Sequence, residues 1–105
     1  MHPTPIDHEH LARQTFGDTE LAGELLTLFA GQCRRLLPEI GDPSRTRAER
    51  ADLAHTLKGS ALGVGAGCVA AASAAIEDGF RREGDPDVAP LAEAVAAALR
   101  AIPAG

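Results

Sequence analysis

A chain of 105 residues has room for one domain with one hydrophobic core. Its 21 alanines, with no tryptophan, no tyrosine and only three phenylalanines, exclude a sheet-rich fold, because strands favour aromatic and β-branched residues, and they predict an all-α protein. A net charge of −5 at pH 7 excludes the basic face that nucleic acid or an anionic membrane would need, so the expected partners are proteins.

The first residues, Met1-His2-Pro3-Thr4-Pro5, lack the apolar core of a signal peptide, and no apolar run reaches a spanning length. A soluble, cytoplasmic protein is expected. Asp7 is placed to cap a short helix through about Phe16, and Gly17-Asp18 closes it and caps the next. From Asp18, the residues Leu21, Leu25, Leu28, Phe29, Leu36 and Ile40 recur at helical spacing, which predicts one buried face on a helix reaching Gly41. Pro38 is expected to kink its last turn. Gly41-Asp42-Pro43-Ser44 reads as a capping turn that opens a second long helix, ending near Leu62. The glycine-rich step Gly63 to Gly67 breaks the pattern, and a third helix is predicted from Ala66 to Arg82 with Val69, Ala72, Ser73 and Ile76 inward. Gly84-Asp85-Pro86 ends it. A last amphipathic helix runs from Val88 to Ile102, with Leu91, Val95, Ala98, Leu99 and Ile102 on its apolar stripe. Four principal helices with short turns predict an antiparallel four-helix bundle, with a short N-terminal helix leading into it. Residues 1–105 read as a single domain with its core in about 6–102.

Chemistry concentrates on the second long helix, in His55-Thr56-Leu57-Lys58-Gly59-Ser60. Residues three and four apart are neighbours on a helix surface, so Lys58 and Gly59 flank the imidazole of His55. Nine of the ten basic residues are arginine, and Lys58 is the exception. An ammonium is a compact, mobile point charge that can follow a phosphoryl group, whereas a guanidinium tends to lock into bidentate pairs. Glycine inside a helix costs roughly 1 kcal/mol against alanine, so Gly59 needs a reason. Its missing side chain clears space for another protein to reach the ring. On a wheel at about 100° per residue, Leu53, Leu57, Ser60 and Val64 mark the core, while His55, Lys58, Gly59, Leu62, Ala48 and Ala51 fall opposite. His55 is therefore expected to face solvent within a docking patch of Ala48, Ala51 and Leu62, with Arg47 and Lys58 supplying positive charge on one flank.

Each residue alone has a plainer reading. An isolated His55 would be an ordinary solvated histidine, Lys58 a solvated lysine, and Gly59 a tolerated helix defect. Cys33 and Cys68 stand far apart without a CxxC pair and read as reduced, packed thiols. His2, His8 and His10 lie with Asp7 and Glu9 near the start, but neighbours two apart on a helix diverge, so no metal site is expected. The Gly63-Val64-Gly65-Ala66-Gly67 string resembles a dinucleotide fingerprint only superficially, because such fingerprints open a βαβ unit that an all-helical chain cannot build.

Taken together, the chain resembles the histidine phosphotransfer (HPt) domain family of two-component phosphorelays. The opening Phe16-Gly17-Asp18-Thr19-Glu20-Leu21 followed by Glu24-Leu25-Leu26 and Phe29, the core Ala54 to Ser60, the Gly65-Ala66 step and the later Ile76-Glu77 all match its pattern, with Ile in place of the usual Leu. The likeness spans about residues 6 to 102. It implies that His55 is the phosphoacceptor, taking a phosphoryl group from an aspartyl phosphate and passing it to another aspartate. Lys58 would offset part of the charge of roughly −2 that the group carries. The implied partners are response-regulator receiver domains and hybrid histidine kinases. Mg²⁺ is expected in the receiver, and this chain would be a monomeric, stoichiometric carrier with no cofactor and no catalysis of its own. A helical adaptor that binds such domains without transfer, or the phosphoacceptor module of a larger histidine kinase, are the alternatives. An autophosphorylating kinase is excluded, for the chain has neither room for an ATP-binding domain nor a nucleotide loop.

Overall fold

The computed structural model describes residues 4–103, so His2 lies outside the described residues. Across them the chain is helical, with α1 (His8–Gln14), α2 (Thr19–Ile40), α3 (Arg47–Val64), α4 (Gly67–Arg81) and α5 (Ala89–Ala101), and no strand. Asp7 caps α1 by accepting a bond from the His10 N–H at 3.0 Å, and Asp18 caps α2 by accepting from Leu21 N–H at 3.0 Å. Between them Phe16 and Gly17 both take left-handed backbone, at φ 54° and 77°, and turn the chain. α2 continues through Pro38 to Ile40.

Several boundaries differ from the sequence reading: α1 ends at Gln14 rather than near Phe16, and α3, α4 and α5 are also redrawn. α3 is capped by Thr46, which accepts from Glu49 N–H at 3.1 Å, just beyond the Gly41–Ser44 turn expected to open it. Thr46 and Glu49 have the spacing of a capping box, while Ser44 is spent within its own turn, donating from its N–H and hydroxyl to Asp42 Oδ1 at 2.9 and 2.7 Å. α3 then runs to Val64, two residues beyond the expected end, and stops at Gly65 in left-handed conformation, φ 78°. The Ala66 N–H reaches back to Ala61 O at 2.8 Å and closes the end. α4 and α5 are each one residue shorter at both ends than expected.

The buried faces also shift. On α2 the core residues are Leu26, Phe29, Ala30, Cys33, Leu36 and Ile40; Leu25 is half-buried, and Leu21 and Leu28, expected inside, are 38% and 70% exposed. On α3 the core stripe is Ala51, Ala54, Leu57, Ala61 and Val64, while Leu53 and Ser60 are only half-buried. Ala51 therefore belongs to the core, not to a docking patch. Alanine's small side chain lets helices approach closely, and α3 with α4 forms the most extensive helix contact in the chain. α4 answers with Val69, Ala70, Ser73, Ile76 and Phe80, Ala72 being half-buried, and α5 adds Leu91, Val95 and Ala98. Leu99 and Ile102 pack partly buried against that core. Arg50 locks the corner, donating to Ile40 O at 2.7 Å while its guanidinium stacks over the Phe80 ring at 4.4 Å.

Candidate functional site

Because the alanine stripe of α3 turns toward α4, His55 lies beside that seam. Its side chain is 61% exposed, and its Nδ1 sits 3.1 Å from both carboxylate oxygens of Glu77 on α4. A carboxylate only accepts, so Nδ1 carries the hydrogen and donates it, and in the neutral ring Nε2 keeps its lone pair. Nε2 has no hydrogen-bond partner among the described residues.

Glu77 is the hub. Lys58 Nζ lies 3.4 Å from its Oε1, Arg81 Nη2 donates to its Oε2 at 3.2 Å, and the same Arg81 nitrogen reaches Asp52 Oδ1 at 2.9 Å. Only 16% of the Glu77 side chain is exposed. Burial alone would push its carboxyl up, but hydrogen bonds from His55 and Arg81, with the charges of His55 and Lys58, outweigh it and hold the group below the usual carboxylate range. Glu77 therefore remains ionised near neutral pH. Two helices and five charged or titratable side chains, His55, Lys58, Asp52, Glu77 and Arg81, form one connected network at the surface.

The residues expected around His55 divide. Lys58 and Gly59 are beside it; Ala48 is exposed, and Leu62 is 56% exposed. Ala51 is fully buried and cannot touch a partner. Arg47 does not lend its charge to His55: its Nη2 grips both Asp85 oxygens at 3.1 Å and its Nε donates to Gly84 O at 3.1 Å, tying the start of α3 to the turn after α4. Glu77 had appeared in the sequence only as part of a pattern, with no role. Its one local signal is the Glu77/Arg81 spacing of four, a common helix-surface pair that says nothing about which neighbouring helix it faces.

Cys33 is buried, and desolvation pushes its thiol up to about 11, away from reactivity. Among the described residues no group of three or more His, Cys, Asp or Glu is placed to hold a metal ion, and no helix is long and apolar enough to cross a membrane.

At Gly59 a Cβ would meet nothing within 4 Å. Gly59→Ala is therefore expected to stabilise the fold by about 0.5–1 kcal/mol, while Gly59→Gln should fold as well but slow any transfer by covering the approach to His55. Thermal melts and transfer rates on the same two variants check this. Unchanged transfer with glutamine would mean that the partner arrives over another face.

A sequence model of the Hpt domain family matches residues 24–105, the greater part of the chain, and the protein belongs to that family. No curated protein and no solved structure matches it. Membership places the chain in two-component phosphorelays, whose Hpt domains are helical phosphocarrier modules that work with receiver and kinase domains.

Proposed function

We propose that this protein is a histidine-containing phosphotransfer protein that carries a phosphoryl group on Nε2 of His55 between aspartates of response-regulator receiver domains. The observation that carries this reading is the Nδ1 contact with Glu77, which fixes the tautomer and leaves a lone pair on the other nitrogen of an exposed ring. Nε2 attacks phosphorus as the bond to the donor aspartate breaks, and the group leaves by the reverse displacement. An exposed imidazole is a competent nucleophile without an added base.

In this reading α2 to α5 are the four helices of an antiparallel bundle, and α1 is the short helix leading into it. The chain acts as a monomeric, stoichiometric carrier, and the receiver supplies Mg²⁺ and the acceptor carboxylate. The partner lands on Gly59, Leu62 and Ala48. The flank toward α2 extends this surface: exposed Leu28, with Gln32, Arg35 and Ser60, lines a groove of about 410 Å³ between α2 and α3.

Lys58 can pivot from Glu77 to the incoming phosphoryl group. Lys58→Ala is expected to slow transfer about three- to tenfold at low salt, the low end of a positioned charge because the lysine side chain is partly exposed, with the difference shrinking as salt rises. Initial rates of label uptake across a salt series measure this.

The test of the function is transfer itself. A radiolabelled, phosphorylated receiver with Mg²⁺ should pass label to this protein as an acid-labile, alkali-stable product. Binding to receivers without any transfer would favour the adaptor reading, and labelling from ATP with no other protein present would contradict the carrier assignment.

A further inference from the structure

Glu77 has the wrong charge for holding a phosphoryl group. A carboxylate repels one, yet here it lies within hydrogen-bond distance of the ring that would carry it, mostly shielded from solvent. What Glu77 does hold is the Nδ1 proton. Resting on the reading that His55 carries phosphoryl, we propose that Glu77 sets the lifetime of the phosphorylated state by keeping that proton on Nδ1 throughout the cycle.

On loading, the Nε2 lone pair forms the N–P bond while the P–O bond to the donor aspartate breaks, its electron pair leaving on that carboxylate. The ring becomes a phosphoimidazolium, positively charged, with Nδ1–H still facing Glu77. On unloading, an oxygen of the acceptor carboxylate, or of water in hydrolysis, bonds to phosphorus, the N–P bond breaks and its electron pair returns to Nε2. The neutral ring is regenerated with its proton already on Nδ1. Had that proton been lost, the leaving group would be an imidazolate anion, which departs far less readily. Retaining the proton keeps the group ready to move, at the cost of a shorter lifetime.

Four charged groups face this ring from the two helices that flank it. Asp52 and Lys58 come from α3, and Glu77 and Arg81 from α4. Lys58 and Arg81 disfavour a second positive charge, and Asp52 is committed to Arg81 at 2.9 Å. Glu77 is the only anion in hydrogen-bond contact with the ring among the described residues. An opposite charge in a charge-assisted hydrogen bond favours the protonated ring, so its sign decides the balance.

The experiment needs no partner protein. Potassium phosphoramidate, a small phosphoryl donor, loads the wild-type chain and the Glu77→Gln variant, mass spectrometry locates the group on His55, and its loss is followed from pH 6 to 9. ¹⁵N NMR of the loaded chains reads the Nδ1 proton directly. In Glu77→Gln that proton should be lost about half to one pH unit lower, and phospho-His55 should persist about three- to tenfold longer at neutral to alkaline pH, a modest shift because the ring is exposed. Identical lifetimes and identical Nδ1 profiles would overturn the proposal. So would a longer lifetime with an unmoved Nδ1 profile, since that would show Lys58 and Arg81, freed from Glu77, gripping the phosphoryl oxygens instead. Failure of the wild-type chain to take phosphoryl on His55 from either phosphoramidate or a receiver would be a distinct result, and it would remove the carrier reading itself.

Discussion

His55→Gln is expected to reduce phosphoryl transfer from a receiver to background while the helices stay folded. The imidazole is 61% exposed and its only side-chain partner among the described residues is Glu77, so its removal leaves no cavity. A glutamine amide can still donate to that carboxylate, so the hydrogen bond at stake, worth about 1 kcal/mol, is largely replaced. The remaining described histidines offer poor substitutes. His10 has its Nε2 buried, and His8 lies at the start of α1, outside the network of Lys58 and Glu77. Circular dichroism should overlay on wild type, and labelling should vanish. Labelling at the wild-type level would place the acceptor elsewhere.

The largest structural effect is expected at Gly65. Its φ of 78° strains any residue with a Cβ, and the Cβ would lie 2.8 Å from Asp7 O and 3.2 Å from the Asp7 Cβ. The Asp7 N–H donates to Gly65 O at 2.8 Å, so the start of α1 is fastened to this one residue at the end of α3. Gly65→Ala must twist the backbone or push that contact apart, and should destabilise by about 2–3 kcal/mol, lowering Tm by on the order of 10 °C. Gly67→Ala is the control, because a Cβ there meets nothing within 4 Å at the first residue of α4. Thermal melts of the two variants should separate clearly. Equal melts would mean that α1 is not held by this junction.

Helix number, order and the Asp7 and Asp18 caps were legible because each depends on local chemistry: a side chain that caps, a glycine that turns, a spacing that repeats. The facing of α3 was not. A wheel weighted by leucine puts Leu53 and Ser60 inside, whereas the chain buries Ala51, Ala54 and Ala61 against α4. Alanine contributes little to a hydropathy stripe and a great deal to close helix approach, so the reading erred by roughly a fifth of a turn. The same error carried Ala51 into the docking patch. His55 survived it, since it lies on the margin that either facing leaves exposed. Leu28, counted as core for its spacing with Leu21 and Leu25, proved to be surface beside the α2–α3 groove. Arg47 and Glu77 show the other limit: their partners, Asp85 and His55, lie on other elements, and no local pattern specifies a contact across helices.

One measurement bears most directly on the carrier function. Heteronuclear NMR of the chain after phosphorylation by a receiver identifies the nitrogen bonded to phosphorus. The geometry at Glu77 predicts a single phosphorylated site, Nε2 of His55, with Nδ1 still turned to the carboxylate. Phosphorus on Nδ1 of His55, or on any other residue, would contradict it.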